Sequence, residues 1–121
     1  MSNVALTMVE LAKAWLLKHF AFSSFANLRL FIVSGDSMEP TLCSGDAVLT
    51  DVGVQSFADG GIYVARLDER IFIKRFQYLP GSKLLMVSDN PRYQPVTISP
   101  DTDSFEILGR SIYFWHGSPL R

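Results

Sequence analysis

The amino-acid sequence predicts a mostly β fold of the α+β class, a curled antiparallel sheet or partial barrel with an N-terminal helix. Two observations support this fold class. From residue 28 onward, short runs rich in Val, Ile, Phe and Tyr alternate with turn-forming segments such as Ser44-Gly45-Asp46 and Pro80-Gly81. Several short strands at this density are typical of a curled sheet or small barrel. Before residue 28, apolar residues recur near helical spacing instead.

The N-terminal helix is expected over residues 3–20. Met8, Leu11 and Trp15 recur three or four positions apart, which places them on one face of a helix. Serine and asparagine residues then indicate a loop. Residues 1–27 are therefore predicted to form a helix and loop that precede the sheet.

Six runs are expected to form the strands, because they are rich in β-branched and aromatic residues and are bounded by turn residues. They are Leu28–Val33, Ala47–Asp51, Ile62–Leu67, Arg70–Tyr78, Leu84–Ser88 and Phe105–Trp115. The third and fourth runs are separated only by Asp68-Glu69, so we predict that they form a β-hairpin.

Lys74 lies in the apolar phase of the fourth run. Side chains alternate between the two faces of a strand, which puts Lys74 on the face that carries Phe72 and Phe76. Burial disfavours the charged form of an amine, so the pKa of this lysine is expected to fall. A neutral lysine can accept a proton, which makes Lys74 a candidate general base. Arg75 falls on the opposite face and is expected to be a solvated charge.

Ser37 is the candidate nucleophile. Gly35 allows a sharp turn after the first strand, and Pro40 restricts the backbone just after the serine. A serine hydroxyl is a poor nucleophile at neutral pH and needs a base, for which Lys74 is the better candidate in this sequence. Such a turn can also expose backbone N–H groups, so those of Asp36 and Ser37 are the candidate oxyanion hole.

Five sequence elements occur in an order that resembles the LexA-like Ser/Lys peptidase family. They are Ser37–Leu42 (Ser-Met-Glu-Pro-Thr-Leu), Gly45–Leu49, Gly61–Val64, Ile73-Lys74-Arg75 and Ser88–Tyr93. With the lead-in around Trp15, the chain resembles most closely the C-terminal domain of phage repressors of the CI/C2 type. The resemblance implies a LexA-like fold, Ser37 as nucleophile and Lys74 as general base. It further implies autoproteolysis, a homodimer and a RecA-like activator as a candidate partner.

Composition and length limit the function of the chain taken alone. The 121 residues are predicted to form one domain, residues 1–121, with a net charge of −1. This charge provides no basic surface for phosphate contacts, so the chain is not expected to bind DNA by itself. Residues 1–27 are also too few for a helix-turn-helix domain, which needs on the order of 50 residues. DNA contact is therefore expected only through a helix-turn-helix domain absent from this chain.

The chain is expected to be cytoplasmic, without membrane contact. Glu10, Lys13 and Lys18 interrupt the roughly 18 uncharged residues that a bilayer span requires. No basic region precedes the apolar segment, as it would in a signal peptide. Cys43 is the single cysteine and cannot form an internal disulfide, which fits a reducing compartment.

No cofactor and no metal ion are expected. His19 and His116 lie near the two ends of the chain without a paired acid or ligand spacing, so both are predicted to be surface residues. Asp101 and Asp103 lie in a polar loop and are expected to be solvated turn residues.

The predicted function is the dimerisation and self-cleavage domain of a bacterial or prophage transcriptional repressor. Repressors of this kind cleave themselves between a small residue and glycine, typically Ala-Gly or Cys-Gly, and neither dipeptide occurs in this chain. The chain is therefore expected to be part of a longer repressor or a stand-alone relative, without a cleavage site of its own. The C-terminal strand run Ile107–Trp115, which ends in the apolar residues Ile112–Trp115, is the candidate dimer interface.

Two alternatives stay open at the level of sequence. The first is a non-catalytic dimerisation and regulatory module that retains Ser37 and Lys74. The second is a UmuD-like accessory protein for mutagenic DNA synthesis. That alternative predicts a flexible, polar N-terminal arm, and the apolar, helix-like start of the chain argues against it.

Overall fold

The computed structural model describes residues 4–56, 60–101, 103–117 and 120, with side chains from residue 12 onward. A helix, α1, comprises Val4–His19, and a short 3-10 helix comprises Phe25–Asn27. The strands are β1 (Leu28–Ile32), β2 (Ala47–Asp51), β3 (Ile62–Leu67), β4 (Arg70–Leu79), β5 (Lys83–Val87), β6 (Val96–Ile98) and β7 (Phe105–Trp115). None of the helices in the described residues has the length and apolar character needed to span a membrane.

The strands form one seven-stranded sheet in the order β1-β2-β7-β3-β4-β5-β6. All neighbouring strands are antiparallel. Within the described residues β1 and β6 do not pair with each other, so the sheet is unclosed. The prediction of a mostly β, curled antiparallel fold with an N-terminal helix is confirmed. Strand β6 is an addition to the six predicted runs.

Two apolar clusters form the core and support the residues discussed below. The larger contains Tyr63, Ala65, Phe76, Leu84, Met86, Ile98 and Ile107. The smaller contains Val33, Met38, Leu42 and Val48. Val33, Met38 and Leu42 of the smaller cluster belong to the segment between β1 and β2, so burial of these apolar side chains anchors the irregular segment in the core.

The N-terminal segment is attached to the sheet by aromatic and polar contacts. The ring of Trp15 on α1 lies edge-on to Tyr113 on β7, with 5.4 Å between ring centroids. After the helix, the N–H and the hydroxyl of Ser23 donate to the carboxylate of Asp51 at 2.6 and 2.7 Å. Asp51 is fully buried, and these bonds satisfy an anion that would otherwise be costly to bury.

The position of β7 in the sheet bears on the predicted role of this strand in association. Uncovered strand edges and apolar patches favour association, and the run Ile107–Trp115 was predicted to form the dimer interface. Strand β7 lies inside the sheet, where its first part, Phe105–Arg110, pairs with β3 and its last part, Arg110–Trp115, pairs with β2. Among the described strands, the part from Ser111 to Trp115 pairs with β2 alone, so its other backbone edge is open to a partner. The side chains of Phe114 and Trp115 on this part are 42% and 43% exposed, so association through the end of β7 can use both this edge and these side chains.

Candidate active site

Ser37 lies in the tight segment between β1 and β2. Gly35 has a φ of 83°, a conformation that residues with a side chain adopt rarely. The backbone then turns again, with the N–H of Leu42 donating to the carbonyl of Met38 at 2.9 Å. The side chains of Met38 and Leu42 are both buried in the smaller core cluster. These anchors hold the intervening backbone and leave the Ser37 hydroxyl at the surface of a cavity.

Lys74 reaches the same cavity from the middle of β4. Its side chain is only 7% exposed. The Lys74 Nζ lies 2.6 Å from Ser37 Oγ and 2.8 Å from Ser88 Oγ, so the amine contacts two hydroxyl groups. The rings of Phe72 and Tyr93 are also near, with their centroids 6.0 and 5.7 Å from Nζ. The structure thus brings together the two side chains that the sequence nominated as nucleophile and base.

The surroundings of Lys74 favour the neutral amine. Burial lowers the pKa of Lys74, and no charge–charge interaction in the described residues contributes to the shift. A neutral amine carries two N–H donors and one lone pair. It can therefore donate to Ser88 Oγ and accept the proton of Ser37 Oγ at the same time. This combination of bonds is what a general base beside a serine requires.

Ser88 is the residue of this site that the sequence analysis did not single out. It follows β5 directly, and the pairing of β4 with β5 places Arg75 opposite Val87. The next position in this antiparallel register brings Ser88 beside Lys74. The position of Ser88 beside Lys74 could have been inferred from the sequence, because the turn at Pro80-Gly81 fixes the register of the two strands that it joins.

The segment after β5 is hydrogen-bonded to the segment that carries Ser37. The N–H of Asn90 donates to the carbonyl of Ser37 at 2.9 Å, and its side-chain amide donates to the carbonyl of Asp36 at 3.0 Å. The N–H of Asp89 contacts the Met38 sulfur at 3.4 Å. The motif Ser88–Tyr93 therefore has a physical role: it fixes the Ser37 turn relative to β4 and β5.

Arg75 takes part in this fixation, so the prediction that it is a solvated charge was wrong. Its guanidinium donates to both carboxylate oxygens of Asp89 at 2.7 and 3.1 Å. Thr41 Oγ1 donates to the same carboxylate at 2.5 Å. Burial alone would raise the pKa of Asp89, but these bonds outweigh it and hold the pKa below its ordinary value. The ion pair links β4 to both segments that form the site.

The cavity beside Ser37 and Lys74 has a volume of about 600 Å³. One wall comes from the end of β1 and the Ser37 turn, and another comes from the first half of β4. Exposed apolar side chains contribute much of the lining, among them Ile32, Ile71 and Val96. A cavity of this kind fits an extended, mainly apolar peptide segment better than a small charged molecule.

The Peptidase S24-like family matches residues 4–112. The chain belongs to this family. Its relatives include "LexA repressor 2" of Pseudomonas syringae pv. tomato, which is 39% identical over 94 residues, or 75% of this chain and 45% of the relative.

Two phage repressors are also similar to this Peptidase S24-like chain. "Repressor protein CI" of Enterobacteria phage phi80 is 32% identical over 108 residues, or 89% of this chain and 44% of the relative. The "26 kDa repressor protein" of Escherichia phage HK022 is 36% identical over 67 residues, or 55% of this chain and 28% of the relative. The resemblance to LexA and CI-type repressors is confirmed. The chain spans less than half the length of these relatives.

Asp36, which precedes the serine in this Peptidase S24-like site, does not contact the lysine. Its carboxylate accepts a hydrogen bond from the Tyr93 hydroxyl. That bond is also the main reason why the pKa of Tyr93 is raised. The carbonyls of Asp36 and Ser37 accept bonds from Glu39 and Asn90. The N–H groups of Asp36 and Ser37 donate no hydrogen bond to another described residue.

One of the two histidines has a partner that the sequence analysis missed. His116 Nδ1 lies 2.6 Å from Asp46 Oδ1, and the Asp46 side chain is 3% exposed. The expectation that His116 lacks a paired acid was therefore wrong. His19 lies on the exposed surface of α1, where its ring nitrogen contacts the carbonyl of Trp15. Asp103 is exposed and accepts the N–H of Ser99, as expected for a turn residue.

Proposed function

We propose that this chain is the peptidase-type regulatory domain of a transcriptional repressor, and that Ser37 and Lys74 cleave a peptide bond. The observation that carries the proposal is the 2.6 Å contact between Ser37 Oγ and the Nζ of a buried lysine. The names of the relatives, which are repressors of bacteria and phages, support the regulatory role.

The proposed reaction begins with proton transfer from Ser37 Oγ to Lys74 Nζ as the oxygen attacks the substrate carbonyl. The N–H groups of Asp36 and Ser37 then stabilise the negative charge that develops on the carbonyl oxygen. Lys74 returns the proton to the departing amine, which leaves an acyl group on Ser37. Lys74 next removes a proton from water, and the hydroxide formed in that step releases the acyl group.

Burial of Lys74 without a carboxylate partner favours the hypothesis of a catalytic domain over that of a non-catalytic dimerisation module. Removing an amine from water without a carboxylate partner costs stability. Within the described residues, Lys74 has only the hydroxyls of Ser37 and Ser88 as hydrogen-bond partners. A scaffold that served only for association would be more stable with an apolar residue here. A catalytic role, as a neutral base beside the nucleophile, would account for a buried amine that destabilises the fold.

The proposed substrate is an extended segment with a small residue before the scissile bond. The apolar walls around Ile32, Ile71 and Val96 would hold such a segment alongside Ser37. Since Ala-Gly and Cys-Gly are absent from these 121 residues, the proposed bond lies outside them. We further propose that the domain forms a homodimer, and that DNA binding and response to a RecA-like activator belong to a longer repressor.

Peptide cleavage in trans tests the proposal. A peptide with Ala-Gly inside an apolar stretch is incubated with the chain at alkaline pH, which favours the neutral lysine, and products are identified by mass spectrometry. Cleavage after the alanine is expected, and it should be lost in Ser37→Ala and Lys74→Met. Ser34→Ala is the matched control, because Ser34 lines the same cavity without contacting the lysine. Cleavage that persists in Ser37→Ala, or no cleavage at all, would favour the non-catalytic module.

A further inference from the structure

A second cluster of chemically active side chains lies outside the proposed active site. It consists of Cys43, Asp46 and His116, and one potential ligand atom from each lies within 4.8 Å of the others. A thiol, a carboxylate and an imidazole are three different ligand types. Their proximity depends on the fold, because Cys43 precedes β2 whereas His116 follows β7, far away in sequence.

Two of these residues are held by a rigid turn. The N–H of Cys43 donates to Asp46 Oδ2 at 2.9 Å, and the N–H of Asp46 donates to the carbonyl of Cys43 at 3.0 Å. Gly45, with a φ of 94°, allows this turn and donates its N–H to Val33 at 2.8 Å. Val33 in turn donates to the carbonyl of Asp46 at 2.9 Å. Because one carboxylate oxygen is used by the turn, the other, Oδ1, is directed to a third residue.

That third residue is supplied by the sheet register. Pairing of β2 with β7 places Ala47 opposite Trp115, so the preceding Asp46 meets the following His116. The His116 side chain is 62% exposed, whereas that of Asp46 is 3% exposed. The cluster therefore has a buried, fixed carboxylate at its base and an imidazole open to solvent at its rim. An ion could enter from the solvent side and keep a water molecule there.

We propose that Cys43 Sγ, Asp46 Oδ1 and His116 Nδ1 bind a divalent transition-metal ion of the zinc type, with water as the fourth ligand. Thiolate and imidazole ligands favour zinc over magnesium or calcium. Tetrahedral zinc bonds of about 2.0–2.3 Å place ligand atoms roughly 3.5 Å apart. On binding, the side chains of Cys43 and His116 would therefore rotate, and His116 Nδ1 would move out from its 2.6 Å contact with Asp46 Oδ1 to admit the ion. Binding releases the thiol proton and replaces any proton shared by Asp46 and His116.

The site would fasten the end of β7 to the turn that follows the Ser37 segment. Cys43 comes directly after Leu42, which anchors that segment in the core. His116 comes directly after the last residue of β7. The ion would therefore act as a structural link, and its expected effect is a higher melting temperature.

Cobalt and zinc titrations of the reduced, tag-free chain test the site. Cobalt should bind with a stoichiometry of one and give a thiolate-to-metal charge-transfer band, and zinc should displace it and raise the melting temperature. Magnesium and calcium should do neither. Cys43→Ser and His116→Asn should each weaken binding by at least about tenfold and remove or diminish the band. His19→Asn, a change in the other histidine, should bind as the unaltered chain does.

Two results would overturn the site. The first is the absence of the charge-transfer band at a large excess of cobalt. The second is binding that survives in both Cys43→Ser and His116→Asn, because the ion would then lie elsewhere. Circular dichroism of each variant checks that the fold is retained, which the exposure of His116 and the partial exposure of Cys43 lead us to expect.

Discussion

At the scale of single residues, Lys74 connects stability with chemistry. The pKa of Lys74 is lowered by burial, so the folded chain binds fewer protons than the unfolded chain at pH values just below the ordinary lysine pKa of about 10.4. Protonation of Lys74 therefore opposes folding. Stability linked to this residue should rise as the pH increases from the lowered pKa toward about 10.4.

Replacing Lys74 with methionine should separate these two effects. Lys74→Met keeps an unbranched side chain but removes the buried amine, so the free energy of unfolding should increase by on the order of 1 kcal/mol at neutral pH. Urea unfolding followed by circular dichroism measures the change, and the alkaline rise in stability should be smaller in the variant. A loss of stability in Lys74→Met would mean that the hydroxyl contacts outweigh the cost of burying the amine.

Ser88 should act by positioning the amine. Ser88→Ala removes the hydroxyl that holds Lys74 Nζ at 2.8 Å, and the misplaced base should slow reaction at Ser37 by about tenfold to a hundredfold. Cleavage rates measured across a pH series provide the readout, because a change in the environment of Lys74 should also move the pH profile. Ser34→Ala is the control and should leave the cleavage rate and its pH profile unchanged. An unaltered cleavage rate in Ser88→Ala would mean that Ser88 does not position Lys74 for the reaction.

At the scale of secondary-structure elements, the hydrogen bonds after β5 hold the site together. Asn90 is 7% exposed and bonds to the backbone of the Ser37 segment. Asn90→Ala should lower the free energy of unfolding by about 1–3 kcal/mol, because the carbonyl of Asp36 loses a partner. Arg92→Ala, an exposed neighbour, should change it by less than about 0.5 kcal/mol. Equal effects of the two substitutions on the free energy of unfolding would contradict the proposal that Asn90 holds the Ser37 segment in place.

Local elements were predictable, whereas long-range neighbours were not. Alternation along β4 placed Lys74 among Phe72 and Phe76, and strand composition located most strands, because both depend on nearby residues. The central position of β7 depends on pairing with strands far away in sequence. The same is true of the Asp46–His116 contact, which joins positions 70 residues apart. No local pattern contains this information.

Within the site, the limits of sequence-based prediction have the same cause. Gly35, Ser37 and Pro40 form a local motif, so the turn could be anticipated. Arg75 was assigned to solvent because the alternation of a strand shows the face on which a side chain lies, but not what covers that face. The partner of Arg75, Asp89, lies just after the end of β5.

At the scale of the whole molecule, association should depend on the C-terminal part of β7. Phe114 is 42% exposed and lies in the part of this strand that pairs with β2 alone among the described strands. We expect a homodimer, and Phe114→Asp should weaken it at least tenfold, since a charge would replace buried apolar surface. Tyr78→Asp, at an aromatic residue that is 62% exposed on β4, is the matched control. Sedimentation at several concentrations measures both, and a chain that is monomeric throughout would refute the dimer.

The central claim, that Lys74 activates Ser37, is tested most directly by the pH dependence of covalent modification at Ser37. A fluorophosphonate probe reacts with activated serine hydroxyls, and mass spectrometry locates the adduct. The rate should rise with pH and reach a plateau below the ordinary lysine pKa of about 10.4, and labelling should be absent in Ser37→Ala and Lys74→Met. Equal labelling of Ser37 in Lys74→Met and the unaltered chain would contradict the account.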